Sequence, residues 1–275
     1  MTKPALHASM LGTLSNCGML FKFRYIDGLS SPPGIALVTG KAVDLVGSDN
    51  AMHKMAHGEG RTGEEIEDLA ATMFEGAWEG EEPALDEDEK AKGRAVVKGE
   101  TKDVVIALSK LEADEMLPGI QPINVQKKRR LVLDGFPFDV EGTTDLEEVD
   151  TIRDRKTAKK TPSDDLANGN VQLGIYTMLR VVGDKQPVKR VVRDTLVKTK
   201  TPKYVKVEAP APTNFDPILR RLEMAAHVIT SGAFMPVDSG GPSGWVCQAA
   251  FCGFWKSHCE FGARSRVTVS LSPQE

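Results

Sequence analysis

Gly142-Thr143-Thr144-Asp145-Leu146-Glu147-Glu148-Val149-Asp150-Thr151-Ile152-Arg153-Asp154-Arg155-Lys156-Thr157 reads as two short strands joined at the polar pair Val149-Asp150. With those two residues as the turn, Glu148 faces Thr151 and Asp145 faces Asp154. Cross-strand partners hold their Cβ atoms roughly 4.5–5.5 Å apart. Two carboxylates that close repel each other unless a cation sits between them. A divalent ion such as Mg²⁺ or Mn²⁺ suits the position, because both prefer oxygen ligands. Lys156 lies two residues beyond Asp154, so on a strand both point to the same face. Its ammonium is then placed to orient an attacking water or to stabilise a developing negative charge.

A basic loop containing Lys159 and Lys160 follows, and then Gln172-Leu173-Gly174-Ile175-Tyr176. On a helix the spacing of four puts Gln172 and Tyr176 on one face. The Gly-Thr-Thr-Asp hairpin, the Asp-x-Lys and the Gln-x-x-x-Tyr helix together resemble the PD-(D/E)XK nuclease superfamily, and the Gln/Tyr pair resembles its RecB-like branch. The resemblance implies an α/β fold of restriction-endonuclease type. Its core would be a central mixed β-sheet flanked by helices, with a helical N-terminal part and a C-terminal cysteine segment. It implies metal-dependent hydrolysis of DNA, with Asp145, Asp154, Lys156, Gln172 and Tyr176 as catalytic residues. Asp44, Asp145, Asp154 and the carbonyl of Arg155 would hold Mg²⁺ or Mn²⁺. Lys159, Lys160, Gln172 and Tyr176 would contact DNA. The bland alternative is a charge-rich surface hairpin, which does not explain the amphipathic helix that follows it.

Composition bounds the chain without deciding its chemistry. Its 275 residues suit a single domain with embellishments, here 1–118 mostly helical, 119–208 a catalytic core and 209–275 a closing segment. An apolar content of 40% and 27% charged residues describe an ordinary soluble protein. No apolar run approaches the roughly 20 residues of a membrane span, and Met1-Thr2-Lys3-Pro4 lacks a signal-peptide core, so a cytoplasmic location and no membrane partner are expected. The net charge of −4 argues against a general nucleic-acid binder. Sign is local, however: basic clusters at Lys127–Arg130, Arg153–Lys160 and Lys198–Lys206 contrast with an acidic block from Glu79 to Glu89, and a phosphate track needs only patches.

Along the chain, residues 8–25 read as a helix carrying Cys17, and a second helix runs from about Ile35 to Met55. Within it, Gly40-Lys41-Ala42-Val43-Asp44 stands where RecB-like relatives usually carry a ligating His. A carboxylate binds Mn²⁺ or Mg²⁺ as readily as an imidazole, and His53 or His57 is the alternative ligand, though both read better as an exposed helix end. Thr62 and Glu65 form a capping box before a periodic helix, Ile66 to Trp78. A further helix is expected over about Glu87–Leu117, interrupted at Gly99. Strands are expected at Ile123–Leu133 and Phe136–Val140 around the hairpin dipeptide Asp134-Gly135, then at Val188–Val197 and Lys203–Glu208. A last helix spans about Phe215–Ser231 before Gly232.

Three of the four cysteines, Cys247, Cys252 and Cys259, cluster among aromatic residues, and Cys17 stands alone near the start. Such clustering in a reducing compartment favours a metal or cluster site over disulfides. The one-plus-three layout resembles the iron–sulfur branch of RecB-like nucleases, the AddB-type and CRISPR-associated exonucleases, and implies a [4Fe–4S] cluster on these four thiolates. A tetrahedral Zn²⁺ site is equally compatible with the residues themselves.

The resemblance further implies an exonuclease acting on single- or double-stranded DNA ends in recombination or repair, as a stand-alone phage or bacterial enzyme with a possible recombination or helicase partner. Two other classes stay open: a non-catalytic DNA-binding or assembly protein on the same fold, and a zinc-stapled protein with no DNA affinity.

Overall fold

A computed structural model describes residues 3–238, 244–247, 251–255, 257–259 and 261; part of the segment read as 209–275 lies outside them. In chain order the elements are β1 (Ala5–His7), α1 (Ala8–Asn16), α2 (Gly18–Phe21), α3 (Ile35–His57), α4 (Gly63–Glu81), α5 (Glu87–Lys92) and α6 (Arg94–Leu111). They continue with β2 (Asn124–Leu131), β3 (Asp139–Glu147), β4 (Thr151–Ala158), α7 (Val171–Met178), β5 (Arg190–Val197), β6 (Lys203–Pro210) and α8 (Asp216–Ser231).

The hairpin has the register expected of it. Leu146 pairs with Arg153, Glu147 with Ile152, and the Glu148 amide donates to the Thr151 carbonyl at 2.9 Å. The turn is pinned by Arg180, a buried guanidinium that donates to the carbonyls of Glu148 and Val149 at 3.0 and 2.7 Å. A buried cation needs a counter-charge. Glu147, itself wholly buried, lies 3.8 Å away and also accepts two hydrogen bonds from Arg129.

β3 is the centre of a mixed sheet. β2 runs antiparallel along one of its edges. The other edge is shared: β1 pairs in parallel with Asp139–Glu141, and β4 pairs with Leu146 and Glu147. Between these two partners, positions 142 to 145 have no ladder neighbour on that side, so the sheet forks there. β5 continues the sheet parallel to β4, and β6 closes it antiparallel to β5.

The helices take opposite faces. Val38, Ala42 and Val46 of α3, Ile66 and Phe74 of α4, and Val105 and Leu108 of α6 pack together with Leu196 of β5. α7 covers the other face, with Tyr176 and Leu179 so close to Gly142 that a Cβ there would meet them at 2.9 Å. Alternation along β4 gives each face a different charge. Arg153 and Arg155 point toward α3 and α6, whereas Asp154 and Lys156 point toward α7.

The structure departs from expectation in four places. β1 is an additional strand. The helix expected over 8–25 breaks at Cys17, whose sulfur accepts from the Leu20 amide and so starts α2. The helix expected over Glu87–Leu117 divides at Gly93 rather than at Gly99, which lies inside α6 with open space around it. Beyond α6 the chain widens into a π turn, Glu112–Met116, which turns Glu112 into the interior. Finally, Asp134-Gly135 does not close a tight hairpin: β2 stops at Leu131, and one continuous β3 starts at Asp139 and runs through Gly142.

Residues 1–12 and 32–232 form one compact unit, and residues 13–31 with 233–275 form a second. Among the described residues, no helix is long and apolar enough to cross a membrane.

Candidate active site

The fork in the sheet is where the predicted acidic residues meet. Beyond the Leu146–Arg153 pair the strands part. The Arg155 amide then donates to the Asp145 side chain, at 2.7 Å from Oδ2, instead of to a backbone carbonyl. Asp145 therefore lies in the plane of the gap, within reach of groups from both faces. Asp154 is wholly buried, and Lys156 Nζ lies 2.7 Å from its Oδ1 and 3.8 Å from Asp145 Oδ2. Arg193, level with Asp154 on β5, approaches its other oxygen at 2.9 Å. Burial and the neighbouring Asp145 push the Asp154 carboxyl above its usual range, while Lys156 and Arg193 pull against them.

Asp44 joins the site from the opposite face. Its carboxylate lies 3.3 Å from Arg155 Nη2, and burial, with Asp145 nearby, raises its pKa. Behind it Arg155 is almost wholly buried, donating to Glu112 Oε1 at 2.7 Å and to Ser48 Oγ at 3.2 Å. Desolvation pushes Glu112 up to about 7 even against this guanidinium. His53 and His57 stand at the far end of α3, ring against ring at 4.4 Å, with His53 Nδ1 on the Glu59 carbonyl.

Asn170 caps α7 by accepting from the Leu173 amide at 3.1 Å. Gln172 Nε2 donates to the Tyr176 hydroxyl at 2.7 Å, so the two share a face as their spacing requires. Burial raises the Tyr176 pKa, and the carboxylates of Asp154 and Asp145 are near enough to raise it further. Lys159 and Lys160 are exposed just past the end of β4.

The side chains of Asp44, Asp145 and Asp154 offer oxygen donors, the chemistry that suits a hard divalent cation. Burial is the main cause of the raised pKa values of Asp44 and Asp154, and the nearby Asp145 raises both further; a cation would favour their ionised forms. Among the described residues, no three His, Cys, Asp or Glu side chains converge on one ligating point, and the carboxylates engage Lys156, Arg155 and Arg193 instead. Sequence reading missed Gln126, Ser48, Glu112 and Arg193. Ser48 was findable, four residues after Asp44 on the same helical face; the other three come from distant segments.

The model of the PD-(D/E)XK nuclease superfamily matches residues 5–262 of this chain. The chain belongs to this superfamily. A crystal structure described as "Putative exonuclease", from Eubacterium rectale, superposes with a TM-score of 0.53 at 10% identity, covering 85% of each chain. That likeness is one of fold. Another solved structure, SSO0001, gives a TM-score of 0.37 at 15% identity over 80% of this chain and 85% of that one, too low to carry an argument. No curated protein matches the chain. In this superfamily member Asp145 lies on β3, and Asp154 and Lys156 lie on β4.

The second unit carries the cysteines. Cys17, Cys247, Cys252 and Cys259 line one small cavity with Leu20, Phe23, Val246 and Trp255. All four are free thiols. Burial, then the neighbouring cysteines, raises Cys247, and burial is the main cause of the rise at Cys252. Phe23 and Phe254 meet at 5.4 Å beside them. The four thiols share this apolar-walled space, but no three of them converge on one ligating point.

Proposed function

We propose that the protein is a Mg²⁺- or Mn²⁺-dependent deoxyribonuclease that hydrolyses phosphodiester bonds from DNA ends, in recombination or repair. The observation carrying this is the convergence of Asp145 and Asp154 on the Lys156 ammonium at the fork. Asp44, Asp145, Asp154 and the Arg155 carbonyl would hold the ion. Once bound, it would supply Lewis acidity toward the scissile phosphate and the attacking water. Lys156 holds the water in line and stabilises the negative charge that develops on the phosphate. Arg193 pairs with Asp154 and holds it oriented. Gln172, fixed by Tyr176, offers its remaining amide groups to the substrate strand. Lys159 and Lys160 meet its phosphates, which makes binding salt-dependent.

The test is cleavage of DNA labelled at either end, single- and double-stranded, with Mn²⁺, Mg²⁺ or chelator. Mononucleotides or short products are expected from one end in either metal and none with chelator. Internal cuts only would replace the exonuclease reading with an endonuclease one. DNA binding without cleavage in any metal would favour a non-catalytic binding protein.

The cysteine cavity supports a structural [4Fe–4S] cluster on Cys17, Cys247, Cys252 and Cys259, as in the RecB-like iron–sulfur branch. Protein purified without oxygen should contain iron and acid-labile sulfide in equal amounts, and Cys17→Ser should lose both. Stoichiometric zinc without sulfide would assign the site to Zn²⁺, and neither metal would leave four free thiols.

A further inference from the structure

We infer that Gln126 is a positioning residue that fixes the Asp44 carboxylate against Asp145. The inference rests on the reading of Asp44 as a metal ligand. Val125 of β2 pairs with Leu146, and Lys127 pairs with Thr144, so Gln126 falls level with Asp145 across the edge of β3 that β2 covers. Its φ is +49°, a left-handed value, while the residues on either side keep the ladder. A side chain other than glycine adopts that backbone inside a strand at a conformational cost, and such costs persist where surrounding structure enforces them.

The strained residue has a definite target. Gln126 Nε2 lies 3.1 and 3.4 Å from the two Asp44 oxygens and donates to Ser48 Oγ at 3.0 Å. Ser48 also accepts from Arg155 Nη2, which itself lies 3.3 Å from Asp44. Asp44 is therefore held from two sides, by the Gln126 amide and the Arg155 guanidinium, with Ser48 as their common anchor one helical turn further along α3. Without Gln126, Arg155 is the ion-pair partner left to the carboxylate among the described residues, and the carboxylate is then freer to rotate toward solvent. The conserved logic of such outer contacts in metal sites is that they orient a ligand they do not replace, and losing one typically weakens the metal about 10–100-fold.

Calorimetric titration of Mn²⁺ into the full-length protein without DNA tests this, with Gln126→Ala, Gln126→Gly and Asp44→Ala beside the native chain. Both Gln126 variants should bind Mn²⁺ at least about tenfold more weakly. Gln126→Gly should nonetheless melt at a higher temperature than Gln126→Ala, because glycine accepts the positive φ without strain. In cleavage assays, both should need correspondingly more Mn²⁺ for half-maximal rate, with much of the rate recovered at saturating metal. Binding within twofold of native in both Gln126 variants, with Asp44→Ala weakened, would overturn the inference and leave the ligand reading standing. Native binding in Asp44→Ala would remove the ligand reading and this inference with it. Affinity that follows melting temperature rather than the presence of the amide would make Gln126 merely structural.

Discussion

Lys156→Ala is expected to lower the single-turnover rate of DNA cleavage by about 10²–10³, with DNA affinity little changed. Removing one positioned donor from a site of developing charge typically has this effect, about 3–4 kcal/mol of transition-state stabilisation. Lys156 is the cation nearest both strand carboxylates, at 2.7 Å from Asp154 and 3.8 Å from Asp145. The variant should still fold, because Asp154 keeps Arg193 at 2.9 Å. Lys156→Arg should not restore the rate: a planar guanidinium fork does not reproduce the point charge of an ammonium between two carboxylates. Rapid-quench cleavage at saturating enzyme and Mn²⁺ measures the effect. A rate within threefold of native would take Lys156 out of the chemistry.

Gly47→Ala is expected to cost the protein about 3–5 kcal/mol. A Cβ at this position of α3 would lie 1.5 Å from Arg155 Nη1 and 2.2 Å from Glu112 Oε1. Neither group has anywhere to go: the side chains of Arg155 and Glu112 are 2% and 1% exposed. The methyl must therefore part a buried ion pair or push α3 off the sheet, and separating a buried pair costs that much. At about 2–4 °C per kcal/mol for a domain of this size, melting should fall by on the order of 10 °C. Asp44 lies one turn earlier on α3, so the same displacement should weaken Mn²⁺ binding. Calorimetric melting checks the first expectation, and an unchanged transition would mean the helix shifts aside at no cost.

The hairpin was legible because its information is local. Val149-Asp150 fixes the register, the register puts Asp145 opposite Asp154, and strand alternation puts Lys156 beside Asp154. The Thr62–Glu65 capping box and the face shared by Gln172 and Tyr176 are local in the same sense, and both are present. The mixed sheet followed from the resemblance those motifs carry. What escaped depends on contacts between distant segments. Gly47 looks like any helical glycine until Arg155 and Glu112 arrive from elsewhere. Gln126 reads as an ordinary strand residue, since nothing in its neighbours announces a positive φ. Gly93 and Gly99 are equivalent by propensity, and only packing chooses the first as the break. β1 is three residues long, too short for any periodic pattern to register.

The shared edge of β3 also sets an order of assembly. The hairpin closes across a turn of a few residues, whereas β1 reaches β3 from more than 130 positions away (Ala5 to Asp139). Closure entropy grows with the length of the loop, and non-local pairings are made late. The gap around Asp145 is therefore bounded on one side by one of the earliest contacts available to the chain and on the other by one of the latest. Until the N-terminal segment docks, that stretch of β3 is a longer bare edge, open to pairing with the wrong strand. During synthesis β1 is made well before its partner and cannot pair until Asp139–Glu141 has been made.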